Sequence, residues 1–127
     1  MTRINVGILP KELKDKQLLA EHREIIRIPN NVRKGRYNLE GQPLKFKLGT
    51  GHVKFFYNKL EYLKLRYNKI YEECISRGFK VQYYGDCFKD LNPELCNDYI
   101  PTKRDRKILI GRLREKKVWI NNNDNNN

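Results

Sequence analysis

The sequence predicts an all-α protein, a compact single domain of three main helices joined by long loops. Three observations carry that prediction. Apolar residues recur at spacings of three and four between 53 and 74, two prolines bracket an earlier helical stretch, and a capping pair at 102 and 105 precedes a third apolar run. The segments between them give no sheet pattern.

The first helix is expected over Lys11 to Arg27. Pro10 suits its start, because the N–H that proline lacks has no intrahelical partner there. Pro29 biases Ile28 away from the α region, which ends the helix. Leu13, Leu19, Ala20, Ile25 and Ile26 make an imperfect apolar stripe. Residues 29–50 are rich in Pro, Gly, Asn and Lys and read as a long loop, which in a compact domain is functional or disordered.

The second helix follows "GTG" and is the clearest element. Val53, Phe56, Leu60, Leu63, Tyr67, Ile70 and Cys74 fall on one face. Gly78 followed by Phe79 predicts a left-handed cap with an apolar contact behind it. Residues 80–101 show no sustained period and read as loop with short extended or helical pieces. The third helix is expected over 102–119. Thr102 and Asp105 form a capping-box-like pair, and Ile108, Leu109, Ile110 and Leu113 supply its apolar contacts, with Gly111 as an interruption. The sequence therefore divides into a domain over 1–119 and a polar, Asn-rich tail over 120–127 that is expected to be disordered.

Of 127 residues, 27 are Lys or Arg and 15 are Asp or Glu, a formal charge of +12. A small domain so charged favours a polyanionic partner, nucleic acid before mere solubility tuning. Half of the excess lies between 102 and 118, where eight basic residues face two acidic ones. A phosphate-contacting surface is favoured there over a solvated helix face. No stretch has the pattern of a signal peptide or the length of a membrane span. Cys74, Cys87 and Cys96 are odd in number and form no C-x-x-C, which points to a reduced, intracellular protein that is not secreted. They are too few to ligate an iron–sulfur cluster, and with His22 and His52 far apart no structural zinc is expected.

On the first helix, Lys16, Arg23 and Arg27 share a face, and Glu24 lies close to it. Two readings stay open: an ordinary surface ion-pair cluster, or a clamp on the DNA backbone around a catalytic acid. Familiar catalytic sets are missing. The sequence contains no G-x-x-x-x-G-K-[ST] loop, no G-x-S-x-G elbow and no cluster of carboxylates for two metals. "GTG" reads as helix entry rather than as an anion site. The opening "MTRIN" looks like a start that frays in solvent. Loss of Met1 would nevertheless leave Thr2 with a free α-amine. Such an amine has a pKa of about 7.7–8.0 against about 10.4 for lysine, so near neutrality roughly one in ten is uncharged and nucleophilic.

The blocks "MTRIN", "AEHREIIR", "NVRKG", "GTGHVKFFYNKLEYLKLRYNKIYEECISRGF", "NDYIP" and "RLREK" occur in this order. Together they resemble the phage-type pyrimidine-dimer DNA glycosylases, the endonuclease V of ultraviolet repair, over about Thr2 to Trp119. The resemblance implies a small all-α repair enzyme without metal or organic cofactor, acting as a monomer on damaged double-stranded DNA and not on a membrane. It implies that the α-amine of Thr2 attacks C1′ of the damaged nucleotide and that β-elimination through the resulting imine cuts the strand. Glu24 then matches the family's catalytic glutamate. Arg3, Arg23 and Arg27 match arginines that bind phosphate and position the lesion. Arg33 and Lys34 match the basic pair of the following loop, and Arg112 and Lys116 match backbone contacts of the last helix. Two departures stand out. Gln17 replaces a histidine, and "INNNDNNN" replaces an aromatic-rich tail. The competing readings are the same chemistry on another lesion, and a non-catalytic DNA-binding protein with the same basic surface.

Overall fold

A computed structural model describes residues 2–115. Among these residues the protein is helical, with no strand. In order the helices are α1 (Asp15–Glu24), α2 (Arg27–Arg33), α3 (His52–Phe55), α4 (Leu60–Ser76) and α5 (Lys103–Glu115). Single 3₁₀ turns lie at Pro10–Glu12, Gly85–Phe88 and Pro93–Leu95. No described helix is long and apolar enough to cross a membrane.

Two of the three expected helices are interrupted. The first starts later than Lys11, at Asp15, and does not end at Pro29. Proline cannot donate to the carbonyl of Ile25, so the helical ladder fails there and restarts as α2 with Pro29 in its first turn, where no N–H is needed. The expected loop thus begins after Arg33. The second expected helix breaks between Phe55 and Leu60. Side chains take up the carbonyls this leaves open. Gln42 Nε2 donates to the carbonyls of Lys54 (3.0 Å) and Phe55 (3.2 Å), Lys59 Nζ to that of Phe55 (2.9 Å), and Asn97 Nδ2 to that of Asn58 (2.9 Å). Satisfied in this way, the break costs little.

Both expected caps are present. Gly78, at φ +84°, donates to the Ile75 carbonyl and Phe79 N–H to that of Cys74, closing α4. Asp105 N–H donates to Thr102 Oγ1 (3.1 Å) and Thr102 N–H to Asp105 Oδ2 (3.0 Å), opening α5. The part of the third helix expected beyond 115, and the tail, lie outside the described residues.

The opening segment does not behave as a frayed end. Ile4, Val6 and Ile8 are wholly buried, in one core with Leu18, Ile25, Leu63, Tyr67, Ile70, Leu109 and others. Burying three such side chains is worth about 1.5–3 kcal/mol each. Gly7 makes this docking possible. Its φ is +81°, and a Cβ there would stand 3.2–3.3 Å from the Arg106 backbone and Cβ. Arg106 Nη1 reaches across to the Gly7 carbonyl (2.9 Å) and to Glu12 Oε2 (2.7 Å). Arg77, near the end of α4, donates to the carbonyls of Pro10, Lys11 and Leu13 and pairs with Asp15 and Glu73.

Candidate active site

Residues 3–8 are held by a different partner at almost every step. Arg3 N–H donates to Glu24 Oε1 (3.2 Å) and Ile4 N–H to His52 Nε2 (2.9 Å). Asn5 Nδ2 donates to Glu21 Oε1 (2.7 Å), and the Ile8 carbonyl accepts from Arg66 Nη1 (2.9 Å). Glu21 and Arg66 are themselves a buried two-bond ion pair joining α1 to α4; Arg66 Nη2 lies 3.0 Å from Glu21 Oε1, and Arg66 Nε donates to Glu21 Oε2. Burial disfavours the Arg66 charge, but Glu21 more than compensates and its pKa is raised. A pair this deep costs desolvation and gives fixed geometry in return. Here it fixes where the head of the chain meets α1.

Thr2 and Glu24 meet at that junction. Glu24 closes α1, its side chain 17% exposed, with Arg23 Nη2 3.9 Å from its other oxygen. Arg27 opens α2 and points Nη1 at Thr2 Oγ1 (3.5 Å). The break at Ile25–Ile26 therefore does not scatter the cations that the sequence placed on one helical face. Arg23 and Arg27 still flank Glu24, from two helices rather than one. Arg3 completes the group. Its pKa is lowered, first by burial and then by the like charge of Arg112 on α5, with Glu24 opposing. The Arg3–Arg112 repulsion reflects the approach of α5 to the same place. Between them is an open groove of about 430 Å³ lined by Arg3, Lys107, Arg112, Gly111 and Leu48–Gly49. Three cations line this groove, and one of them, Arg3, is bonded through its N–H to the Glu24 carboxylate, so the groove can hold a phosphodiester within reach of an acid–base group.

Not every predicted residue lies here. Arg33 donates to the carbonyls of Cys87 (3.1 Å) and Lys89, so its guanidinium braces the turn after Gly85. Lys34 is exposed at the end of α2. Lys116 lies outside the described residues. A cavity of about 540 Å³ lies elsewhere, among residues 7–10, α4 and the start of α5; Thr2 and Glu24 are in the lining of neither it nor the groove, and only the groove includes their neighbour Arg3. No three His, Cys, Asp or Glu side chains converge as a metal site requires among the described residues.

Sequence reasoning missed Asn5, Glu21, His52 and Arg66. Glu21 and Arg66 look like surface charges in the sequence, and only their pairing across 45 residues shows them to be buried. The alternation Ile4, Val6, Ile8 was a sign that the opening is buried.

An all-helical protein with its arginines gathered around one carboxylate at the head of the chain belongs to the class that works on a polyanionic backbone. A family model described as pyrimidine dimer DNA glycosylase matches residues 1–84, two thirds of the chain. The protein belongs to that family, and its substrate is DNA. The matched region holds Thr2, Glu24, Arg23 and Arg27 and stops short of α5.

Proposed function

We propose that the protein excises pyrimidine dimers and also cuts the strand at the excised site, as a combined glycosylase and abasic-site lyase using the Thr2 α-amine. One observation carries the reading. The carboxylate of Glu24 accepts the Arg3 N–H while Arg27 reaches the Thr2 hydroxyl, so an acid–base group and a cation both meet the residue whose amine is exposed once Met1 is lost. The neutral amine adds to C1′, the glycosidic bond breaks, and the damaged base leaves with the bonding electrons and takes up a proton. Ring opening, with a proton delivered to O4′, gives a protonated imine. Glu24 then removes a proton from C2′. Those electrons form the C2′–C3′ double bond as the C3′–O bond breaks and phosphate departs. Hydrolysis of the imine frees Thr2.

In this reading Arg3, Arg23 and Arg27 hold the distorted sugar-phosphate, and Arg112 and Lys116 hold flanking backbone, with Arg33 and Lys34 at the periphery. Exposing the sugar requires unstacking, which is cheapest where damage has already weakened the stack. In this reading the working unit is a monomer, with residues 1–119 as its catalytic domain. The test is borohydride reduction during reaction with abasic duplex. A covalent adduct mapping to Thr2 is expected, on a mature chain that lacks Met1. An adduct on an internal lysine, or none, removes Thr2 from the mechanism. Gln17 and the replaced aromatic tail bear on lesion choice. Turnover of abasic duplex without turnover of dimer-containing duplex would move the chemistry to another lesion.

A further inference from the structure

We infer that His52 is a positioning residue for the nucleophile: its imidazole, locked in one tautomer, accepts the Ile4 N–H and so fixes the setting of residues 2–4 over Glu24. The inference rests on the reading of Thr2 as the nucleophile. It begins with two hydrogen bonds that admit a single protonation state. Nδ1 lies 2.9 Å from the Lys47 carbonyl, which can only accept, so Nδ1 carries the proton. Nε2 lies 2.9 Å from the Ile4 amide, which can only donate, so Nε2 is bare.

The ring cannot turn away from this arrangement. His52 is 5% exposed, and the edges of Phe46 and Phe56 pack against it with centroids 5.4 and 5.3 Å away. Consecutive amides of the opening segment, those of residues 3 and 4, are thereby tied to two different elements, Glu24 on α1 and His52 on α3. One tether alone would let the chain pivot about it. Two tethers leave the amine of residue 2 little freedom, which is what an attack at C1′ requires. The surroundings of the ring favour its neutral form on balance. Burial lowers the His52 pKa and Arg3 adds to that, against the Lys47 carbonyl and Glu21.

His52→Gln and His52→Asn separate this role from packing. Both remove the ring and its contacts with Phe46 and Phe56. Glutamine places an oxygen near the former Nε2 and can still accept from Ile4; asparagine reaches only the Nδ1 position and leaves the Ile4 amide unpaired. The measurement is the single-turnover rate of borohydride-trapped adduct on abasic duplex with enzyme in excess, alongside the duplex Kd and the thermal midpoint. Both variants should show similar Tm losses and near wild-type Kd. Trapping by His52→Gln should remain close to wild type, whereas His52→Asn should fall on the order of 100-fold, the scale of a small misplacement of a reacting group. Equal rates for the two variants overturn the role of His52 while leaving Thr2 in place. A wild-type adduct at an internal lysine overturns both. If His52→Asn does not fold, ¹⁵N NMR of the wild-type ring at pH 7.5 decides instead: protonated Nδ1 with bare Nε2 is expected, and protonated Nε2 overturns the inference.

Discussion

At the head of the molecule, Arg27 points at Thr2 and Arg23 stands 3.9 Å from Glu24. Along α5, Arg104 donates to the Phe46 carbonyl (2.9 Å) and Arg106 to Gly7 and Glu12. The two regions are both rich in arginine, yet they use it differently. On α1 and α2 the cations surround one carboxylate beside the chain start. On α5 two of them brace the loop at Phe46 and the opening segment, and Lys107 and Arg112 are the ones that line the groove. Counting charges along a sequence measures attraction to a polyanion. It does not say which cations are available to it.

The sharpest break in that comparison is chemical. Glu24→Gln keeps the shape of the side chain and an oxygen for the Arg3 N–H, and removes the proton acceptor. Turnover on dimer-containing and abasic duplexes should fall by about 100- to 10,000-fold with binding retained, the usual range for losing a general base. Single-turnover kinetics beside a binding titration check it. A rate near wild type would return Glu24 to the surface ion-pair reading.

Within α5, the division of labour predicts opposite outcomes for two arginines about one and two thirds turns apart. Arg106→Ala removes a bond to the buried carboxylate of Glu12 and should cost about 2 kcal/mol in urea unfolding. Its salt dependence of DNA binding should stay unchanged. Arg112→Ala should leave stability nearly unaltered and reduce the slope of log K against log salt by about 0.9, one phosphate contact. Reversed results would mean that the two residues had been assigned to the wrong roles.

How much of this was legible in the sequence follows from what each signal measures. The caps at Gly78 and Thr102–Asp105 are local chemistry, so they could be read directly. Pro29 was also read locally, and its weakness was the same locality: whether a proline stops a helix or opens the next one depends on what the chain packs against afterwards. The break at 56–59 could not be seen because the apolar period runs through it, and the partners that satisfy it, Gln42 and Asn97, come from distant loops. Thr2, Glu24, Arg23 and Arg27 were named from pattern and resemblance, and they meet in space. The supports beneath them were hidden, since Glu21 and Arg66 look like surface charges until their partners, 45 residues apart, are brought together.

Acid should separate the two regions as well. The chain's only histidines are His22 on α1 and His52 on α3, and none lies on α5. Burial is the leading cause that lowers both pKa values in the folded protein, opposed at His22 by the Gln82 carbonyl. Unfolded, each titrates near 6.5. Their contribution to stability is therefore complete above that pH and is lost as pH falls through the lower, folded values. Urea midpoints measured from pH 7.5 down to 5 should decline, and the decline should be shallower in His22→Gln, which has one buried imidazole fewer to protonate. A decline of unchanged steepness would place the acid sensitivity elsewhere.

The smallest effect concerns Gly111, in the interior of α5 on the wall of the groove. Nothing lies within 4 Å of where its Cβ would be, and its backbone is not in the left-handed region that favours glycine. Glycine inside a helix costs about 0.5–1 kcal/mol relative to alanine, so Gly111→Ala should raise the thermal midpoint by a few degrees' worth of that energy. The added methyl group would stand on the wall of the groove that Gly111 shares with Arg3 and Arg112. If the DNA backbone lies in that groove, it meets the methyl, and affinity for undamaged duplex should weaken a few-fold in a protein that has become more stable. Few other substitutions move stability and binding in opposite directions, so misfolding cannot imitate the result. A stabilised Gly111→Ala with unchanged affinity would place the duplex outside the groove and leave α5 to contribute through Lys107 and Arg112 at longer range. That outcome would also bring the two basic regions closer in kind, with α5 bracing the fold along one face and merely attracting DNA along the other.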